Sequence, residues 1–139
     1  MKKVLGIDFG NKRIGLAISD SMRMISLPIE TIEAQKTLPD TITYLEKFLE
    51  DRLPTIDTIV VGLPLHLNGT DSEMSLKCRE FAKLLEEKFG MQVKLVDERL
   101  SSSQMDSDFK SVGLNRKKRT KLLDSASASL ILRTYLDTL

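Results

Sequence analysis

Only four residues, Phe9-Gly10-Asn11-Lys12, separate two apolar runs, Lys3–Asp8 and Arg13–Ser19. A parallel crossover needs a dozen or more residues, so a link this short, carrying Gly and Asn, predicts an antiparallel hairpin. A third candidate strand, from about Ile25 to Glu33, follows closely, with Pro28 confining its early part to an edge or a bulge. This third of the chain therefore reads as an antiparallel meander.

Beyond it the pattern changes to alternating helix and strand. Thr37 is a candidate N-cap with Pro39 in the first turn, and Leu38, Ile42, Leu45 and Leu49 recur at helical spacing until Pro54. Thr58-Ile59-Val60-Val61, ending at Gly62, has the β-branched character of a buried strand. Thr70-Asp71-Ser72-Glu73 reads as a capping box for a helix that carries Met74, Cys78, Phe81 and Leu85 on one face and stops at Gly90. Gln92–Val96 is another strand. A polar segment extends to Asn115, with a short helix around Ser102–Lys110, and a long helix runs from about Arg116 to Asp137. No repeat or linker divides the 139 residues, so residues 1–139 are expected to form a single α/β domain. Three antiparallel strands followed by α-β-α-β-α predict a mixed five-stranded sheet with helices on its faces.

Composition narrows the function classes. The single Cys78 excludes an internal disulfide and a Cys-based zinc site, and the single His66 excludes a zinc site built from imidazoles. Cys78 is expected to be a buried thiol, and His66 an exposed loop residue rather than a catalytic base. No apolar stretch nears the roughly 20 residues that span a bilayer, and Met1-Lys2-Lys3 does not open a signal peptide, so the expected location is cytoplasmic, with no membrane partner.

Three carboxylates stand where a structural reading would not place them. Asp8 interrupts Val4-Leu5-Gly6-Ile7-Asp8-Phe9, Glu98 follows the apolar stretch Val93–Asp97, and Asp124 opens a run of small and apolar residues through Leu132. Carboxylates are rarely buried unless paired, hydrogen-bonded or metal-bound. Residues 124, 128, 131 and 135 share one helical face, which puts Asp124 on the stripe of Ala128, Ile131 and Tyr135. Ala126, Ser127 and Ala128 would let that helix approach the sheet closely. Ligand sites of open α/β sheets lie beyond the carboxyl ends of the strands. Together these features point to one site for Mg²⁺ or Mn²⁺, with two ions suited to in-line phosphoryl chemistry. Taken singly, Asp8 could be a hydrogen-bonded core residue, Asp97 and Glu98 ordinary strand-end residues, and Asp124 the partner of Arg99 or Lys121.

Four motifs resemble one known family. Gly6-Ile7-Asp8-Phe9-Gly10 with Lys12-Arg13-Ile14-Gly15-Leu16-Ala17 is similar to the opening of the YqgF family of RNase H-like nucleases. Val61-Gly62-Leu63-Pro64-Leu65 with Asn68-Gly69-Thr70 resembles its second motif, and Asp97-Glu98-Arg99-Leu100-Ser101 its third. Asp124 with Ala128, Ile131-Leu132 and Tyr135-Leu136 resembles its fourth. The motifs occur in family order over nearly the whole chain. Ser127, where Ala is usual, and Met105, where a small residue is common, depart from the pattern without touching the acidic residues. The resemblance implies an RNase H-like fold with Asp8, Glu98 and Asp124 as a catalytic and metal-binding triad. It also implies 5′-end maturation of pre-16S rRNA as the activity, or alternatively resolution of Holliday junctions.

Asn115-Arg116-Lys117-Lys118-Arg119-Thr120-Lys121 places five cations in seven residues at the start of the last predicted helix, where the macrodipole disfavours them. A solvated helix face is one reading. The other is a phosphate-contacting surface made of Arg116, Lys117, Lys118, Arg119 and Lys121, extended by Lys12, Arg13 and Arg99. The loop Leu65–Thr70 precedes a helix N-terminus, where an anion could be received. Aromatic residues are few and Trp is absent, so recognition of structured RNA or branched DNA fits better than base stacking along a single strand. Two other classes compete with a nuclease. One is an actin-like ATP-binding domain, which the single Gly-rich loop does not complete, and the other is a non-catalytic nucleic-acid-binding ribosome-assembly factor. The chain is expected to act as a monomer or a homodimer.

Overall fold

The computed structural model describes residues 2–97 and 116–139, with side chains described for 2–97 and 126–139. Strands β1 (Lys3–Phe9) and β2 (Arg13–Ser19) form the expected hairpin, in register from Leu5 opposite Ile18 to Phe9 opposite Ile14. The Gly10 amide closes the turn by donating to the Arg13 carbonyl at 3.0 Å. A Cβ on Gly10 would lie 2.6 Å from that oxygen, so a side chain has no room there.

The predicted third strand is two short pieces, β3 (Ser26–Pro28) and β4 (Ile32–Glu33), both paired antiparallel with β2. Pro28 has no amide hydrogen to extend the ladder, and β3 lies at the sheet edge, where Pro is tolerated. Helix α1 (Leu38–Phe48) is capped by the Thr37 side chain, which accepts from the Asp40 amide. A 3₁₀ turn at Leu53–Thr55 leads into β5 (Ile56–Leu63), which pairs parallel with β1. Helix α2 (Glu73–Phe89) returns the chain to β6 (Gln92–Asp97), parallel to β5, and α3 spans Arg116–Leu136. The main path of the sheet is β3-β2-β1-β5-β6, with β4 alongside on β2, which makes six strands in all. The expected helix around Ser102–Lys110 falls outside the described residues.

The cap of α2 differs from the one read in the sequence. Ser72, not Thr70, is the N-cap: its hydroxyl accepts from the Ser75 amide, and the Ser75 hydroxyl accepts from the Ser72 amide. Thr70 is held instead by Asn68, whose Oδ1 accepts from both its amide and its hydroxyl. Gly90 ends α2 in the left-handed conformation at φ 63°, as its position suggested.

Side-chain alternation on β1 divides the core. Leu5, Ile7 and Phe9 face the larger cluster with α1 and α2, where the Phe9 and Phe81 rings lie 4.3 Å apart and Cys78 is buried as expected. Val4, with Ala17 and Val60, joins a smaller cluster built with Ala128, Ile131, Leu132 and Leu136 of α3. No helix among the described residues is long and apolar enough to cross a membrane.

Two outcomes follow from these contacts. A Cβ at Gly6 would fall 2.8 Å from Leu132 Cβ and 3.0 Å from the Ala128 carbonyl oxygen. Gly6→Ala should therefore overpack this seam and cost about 1–3 kcal/mol in urea unfolding. An unchanged midpoint would show that α3 can back away freely. Asp71 accepts hydrogen bonds from Arg79 Nε at 2.9 Å and the Ser75 hydroxyl at 2.8 Å, which together hold its carboxyl below its ordinary value of 3.8. Its stabilising contribution is complete above that value and lost as pH falls through the lowered one. Asp71→Asn should then be less stable than wild type at pH 7, with the gap narrowing below pH about 3.8. A gap independent of pH would count against this carboxylate.

Candidate active site at the carboxyl ends of the parallel strands

Asp8 is half-buried near the end of the central strand β1. It lies two residues beyond Gly6, so both belong to the face of β1 on which α3 packs. Two contacts fix the direction of α3. The Ser26 hydroxyl donates to the Ser129 carbonyl at 2.8 Å, and Arg133 Nη1 donates to the Met24 carbonyl at 2.7 Å. Ser26 pairs with Ser19, whose hydroxyl accepts from the Val4 amide, so this end of α3 lies toward the beginning of β1. The helix therefore runs antiparallel to β1, and the turn that precedes Ala128 approaches the end carrying Asp8. Asp124 is in that turn, and its side chain lies outside those described. The small-residue stretch performs as anticipated: Ser127 and Ala128 are buried, and Ala128 sits against Gly6.

The parallel strands bring further positions to the same end. Ile7 pairs with Val61, Gly62 with Val96, and Leu63 with Asp97. Strand β6 ends at Asp97, so the chain leaves the sheet beside the end of β1 with one strand between them. Glu98 and Arg99 come next in sequence and fall outside the described residues, as does Met105. Among the described residues, no group of three or more His, Cys, Asp or Glu side chains is placed to hold a metal ion. Asp8, and Asp97 at the end of β6, offer carboxylate oxygens, which suit a hard cation rather than a soft one. His66 is exposed in the β5–α2 loop, where its carbonyl accepts from Gly69 and its amide donates to Thr70.

The cationic positions are spread around this end of the sheet. Lys12 on the β1–β2 turn and Arg13 at the start of β2 are both exposed, four and five residues after Asp8. Arg116, Lys117, Lys118, Arg119 and Lys121 occupy the opening turns of α3, with side chains outside those described. The sequence reading missed one contact. Lys77 Nζ on α2 donates to Asn11 Oδ1 at 2.9 Å and so joins that helix to the β1–β2 turn. Lys77 lies one helical turn before Phe81 and Asn11 two residues after Phe9, and the contact between those two rings, which the sequence does not show, brings the pair together. Only the apolar stripe of α2 drew notice in the sequence.

Comparison with known proteins identifies the family and the fold. The model of the RuvX family, described as Holliday junction resolvase, matches residues 2–138. A protein of Protochlamydia amoebophila named "Putative pre-16S rRNA nuclease" is 38% identical over 140 residues, covering 98% of this chain and 93% of its own length. One of the same name from Methylobacillus flagellatus is 40% identical over 136 residues, covering 98% of this chain and 91% of its own. Among solved structures, T. thermophilus RuvC in complex with Holliday junction substrate superposes with a TM-score of 0.55 at 13% identity, over 99% of this chain and 96% of that one. The fowlpox virus Holliday junction resolvase gives 0.59 at 16% identity, over 99% of both chains. At such identities the structures speak for the fold, which is the RNase H-like fold of the RuvC-type resolvases. The chain belongs to the RuvX Holliday junction resolvase family, the same family of RNase H-like nucleases that its four motifs resemble.

Proposed function

We propose that this nuclease is metal-dependent and cuts structured RNA, trimming the 5′ end of pre-16S rRNA during ribosome biogenesis in the cytoplasm. The observation that carries the site is Asp8: a half-buried carboxylate at the end of the central strand, on the face where α3 closes against Gly6. In this reading Asp8, Glu98 and Asp124 are the catalytic carboxylates that hold Mg²⁺ or Mn²⁺. Support comes from the direction of α3, which brings the turn of Asp124 toward Asp8, and from β6, which ends one residue before Glu98. Divalent ions, when bound, lower the pKa of a coordinated water and offset charge at the phosphate.

The remaining residues act on the polyanion. Lys12, Arg13, Arg99, Arg116, Lys117, Lys118, Arg119 and Lys121 bind phosphates on either side of the carboxylates and set the register of the strand to be cut. The names of relatives near 40% identity favour precursor ribosomal RNA. The description of the family model favours a four-way DNA junction, which is the second reading.

The test compares cleavage of a pre-16S rRNA 5′ fragment and a four-way DNA junction in Mn²⁺. Asp8→Asn and Asp124→Asn should each lower cleavage by about 100-fold or more with thermal stability retained. Undiminished cleavage in either variant would overturn the carboxylate assignment, and preference for the junction would select the second reading. Replacing Arg116, Lys117, Lys118 and Arg119 together with Gln should flatten the salt dependence of RNA binding by about three to four log units per log unit of salt. An unaltered slope would return the segment to a solvated helix face.

A further inference from the structure

We infer that Lys77 is a phosphate-binding residue of the nucleic-acid track, and that Asn11 is the positioning residue that aims it. This extends the proposed nuclease reading to the other face of the sheet, since α2 packs on the side opposite α3.

The pairing leaves Lys77 with its charge. Glu73, one turn earlier on α2 and lining the same surface hollow with Asn11, Met74 and Lys77, would be the ordinary i, i+4 partner. Among the described residues, however, Lys77 forms no ion pair, and its Nζ is directed to the neutral Asn11 amide. An amide oxygen uses one of the three ammonium donors without cancelling the charge, so two donors and a full positive charge remain for a ligand. A carboxylate at position 11 would have satisfied Lys77 and neutralised the turn.

The anchor is rigid at both ends. Asn11 sits in a turn whose Gly10 amide is bonded to the Arg13 carbonyl, and α2 is fixed to β1 through the Phe9–Phe81 contact one turn from Lys77. Lys12 is exposed on that turn and likewise forms no ion pair among the described residues. Lys12 and Lys77 thus flank Asn11 at the end of the sheet that carries Asp8. The Glu73 carboxylate in the same hollow opposes a phosphate placed deep within it, which puts the contact at the rim, on the side of the turn. A backbone that reaches Asp8 along the basic segment of α3 leaves over this rim, and Lys77 binds a phosphate beside the cleavage position.

The test measures binding of the pre-16S rRNA 5′ fragment against salt concentration, in chelator so that no cleavage occurs, with Lys77→Gln, Lys77→Arg and Asn11→Ala. Lys77→Gln should reduce the salt slope by about one and weaken binding about tenfold at 50 mM salt, where one phosphate contact is most strongly felt. Lys77→Arg should restore the slope, and Asn11→Ala should weaken binding with the slope kept. A Lys77→Gln slope equal to wild type, with only the melting temperature lowered, would overturn the inference and leave the contact a staple between α2 and the hairpin. If wild type binds neither this RNA nor a four-way junction, the nuclease reading itself falls. If the α3 variant loses slope while Lys77→Gln does not, only the present inference falls.

Discussion

The structure rests on the absence of a side chain at Gly6. There the backbone of α3 meets the central strand at a separation that leaves no space for a Cβ, with Leu132 and the Ala128 carbonyl as the opposing surface. Dispersion and burial reward such closeness where the strand presents no side chain, and the helix meets it with the Ala128 backbone and the base of the Leu132 side chain. Widening the seam by even a methyl group would move the turn that contains Asp124 away from Asp8. Packing and chemistry are therefore joined at one contact, because the residue that sets the helix height is two positions from a proposed metal ligand.

The same economy appears across the sheet. Alternation along β1 sends Leu5, Ile7 and Phe9 to one core and Val4, Gly6 and Asp8 to the other face. Helix α2 anchors to the first set through Phe81 and α3 to the second, so the end of β1 is held between two helices that approach from opposite sides. Parallel pairing through β5 then brings the end of β6 level with it. The carboxyl ends of β1, β5 and β6 and the opening turns of α3 are thereby gathered at one end of the sheet.

Much of this was legible in the sequence. A four-residue link forced the hairpin, β-branched runs marked the buried strands, and Thr37, Gly90 and the small stretch before Ala128 each did what their chemistry suggests. The errors were local. The capping box was read two residues early because Thr70 and Glu73 match the usual pattern, whereas Asn68 claims Thr70 and leaves Ser72 and Ser75 to cap α2. The third strand was read as one run from about Ile25 to Glu33, with Pro28 at an edge or bulge, whereas the pairing with β2 is divided between Ser26–Pro28 and Ile32–Glu33. The Lys77–Asn11 contact joins residues 66 apart in sequence and shows no periodicity, so only the packing of Phe9 on Phe81 brings it about. The apolar context of Asp8, Glu98 and Asp124 singled out all three carboxylates before the motif resemblance did, and of the three only Asp8 has a described side chain.

The seam between α3 and the β1–β3 meander also has a kinetic meaning. Its contacts join distant stretches of chain, as with Ser26 and Ser129, which are 103 residues apart. Closing so large a loop is entropically costly, and such pairings are expected to form after the local hairpin and the β5-α2-β6 unit. A chain emerging from the ribosome in order would present the hairpin and the β5-α2-β6 unit before α3 is available to close against Gly6. The close approach at Gly6, on which the height of α3 over the sheet depends, is in this order of events among the last contacts of the fold to be made.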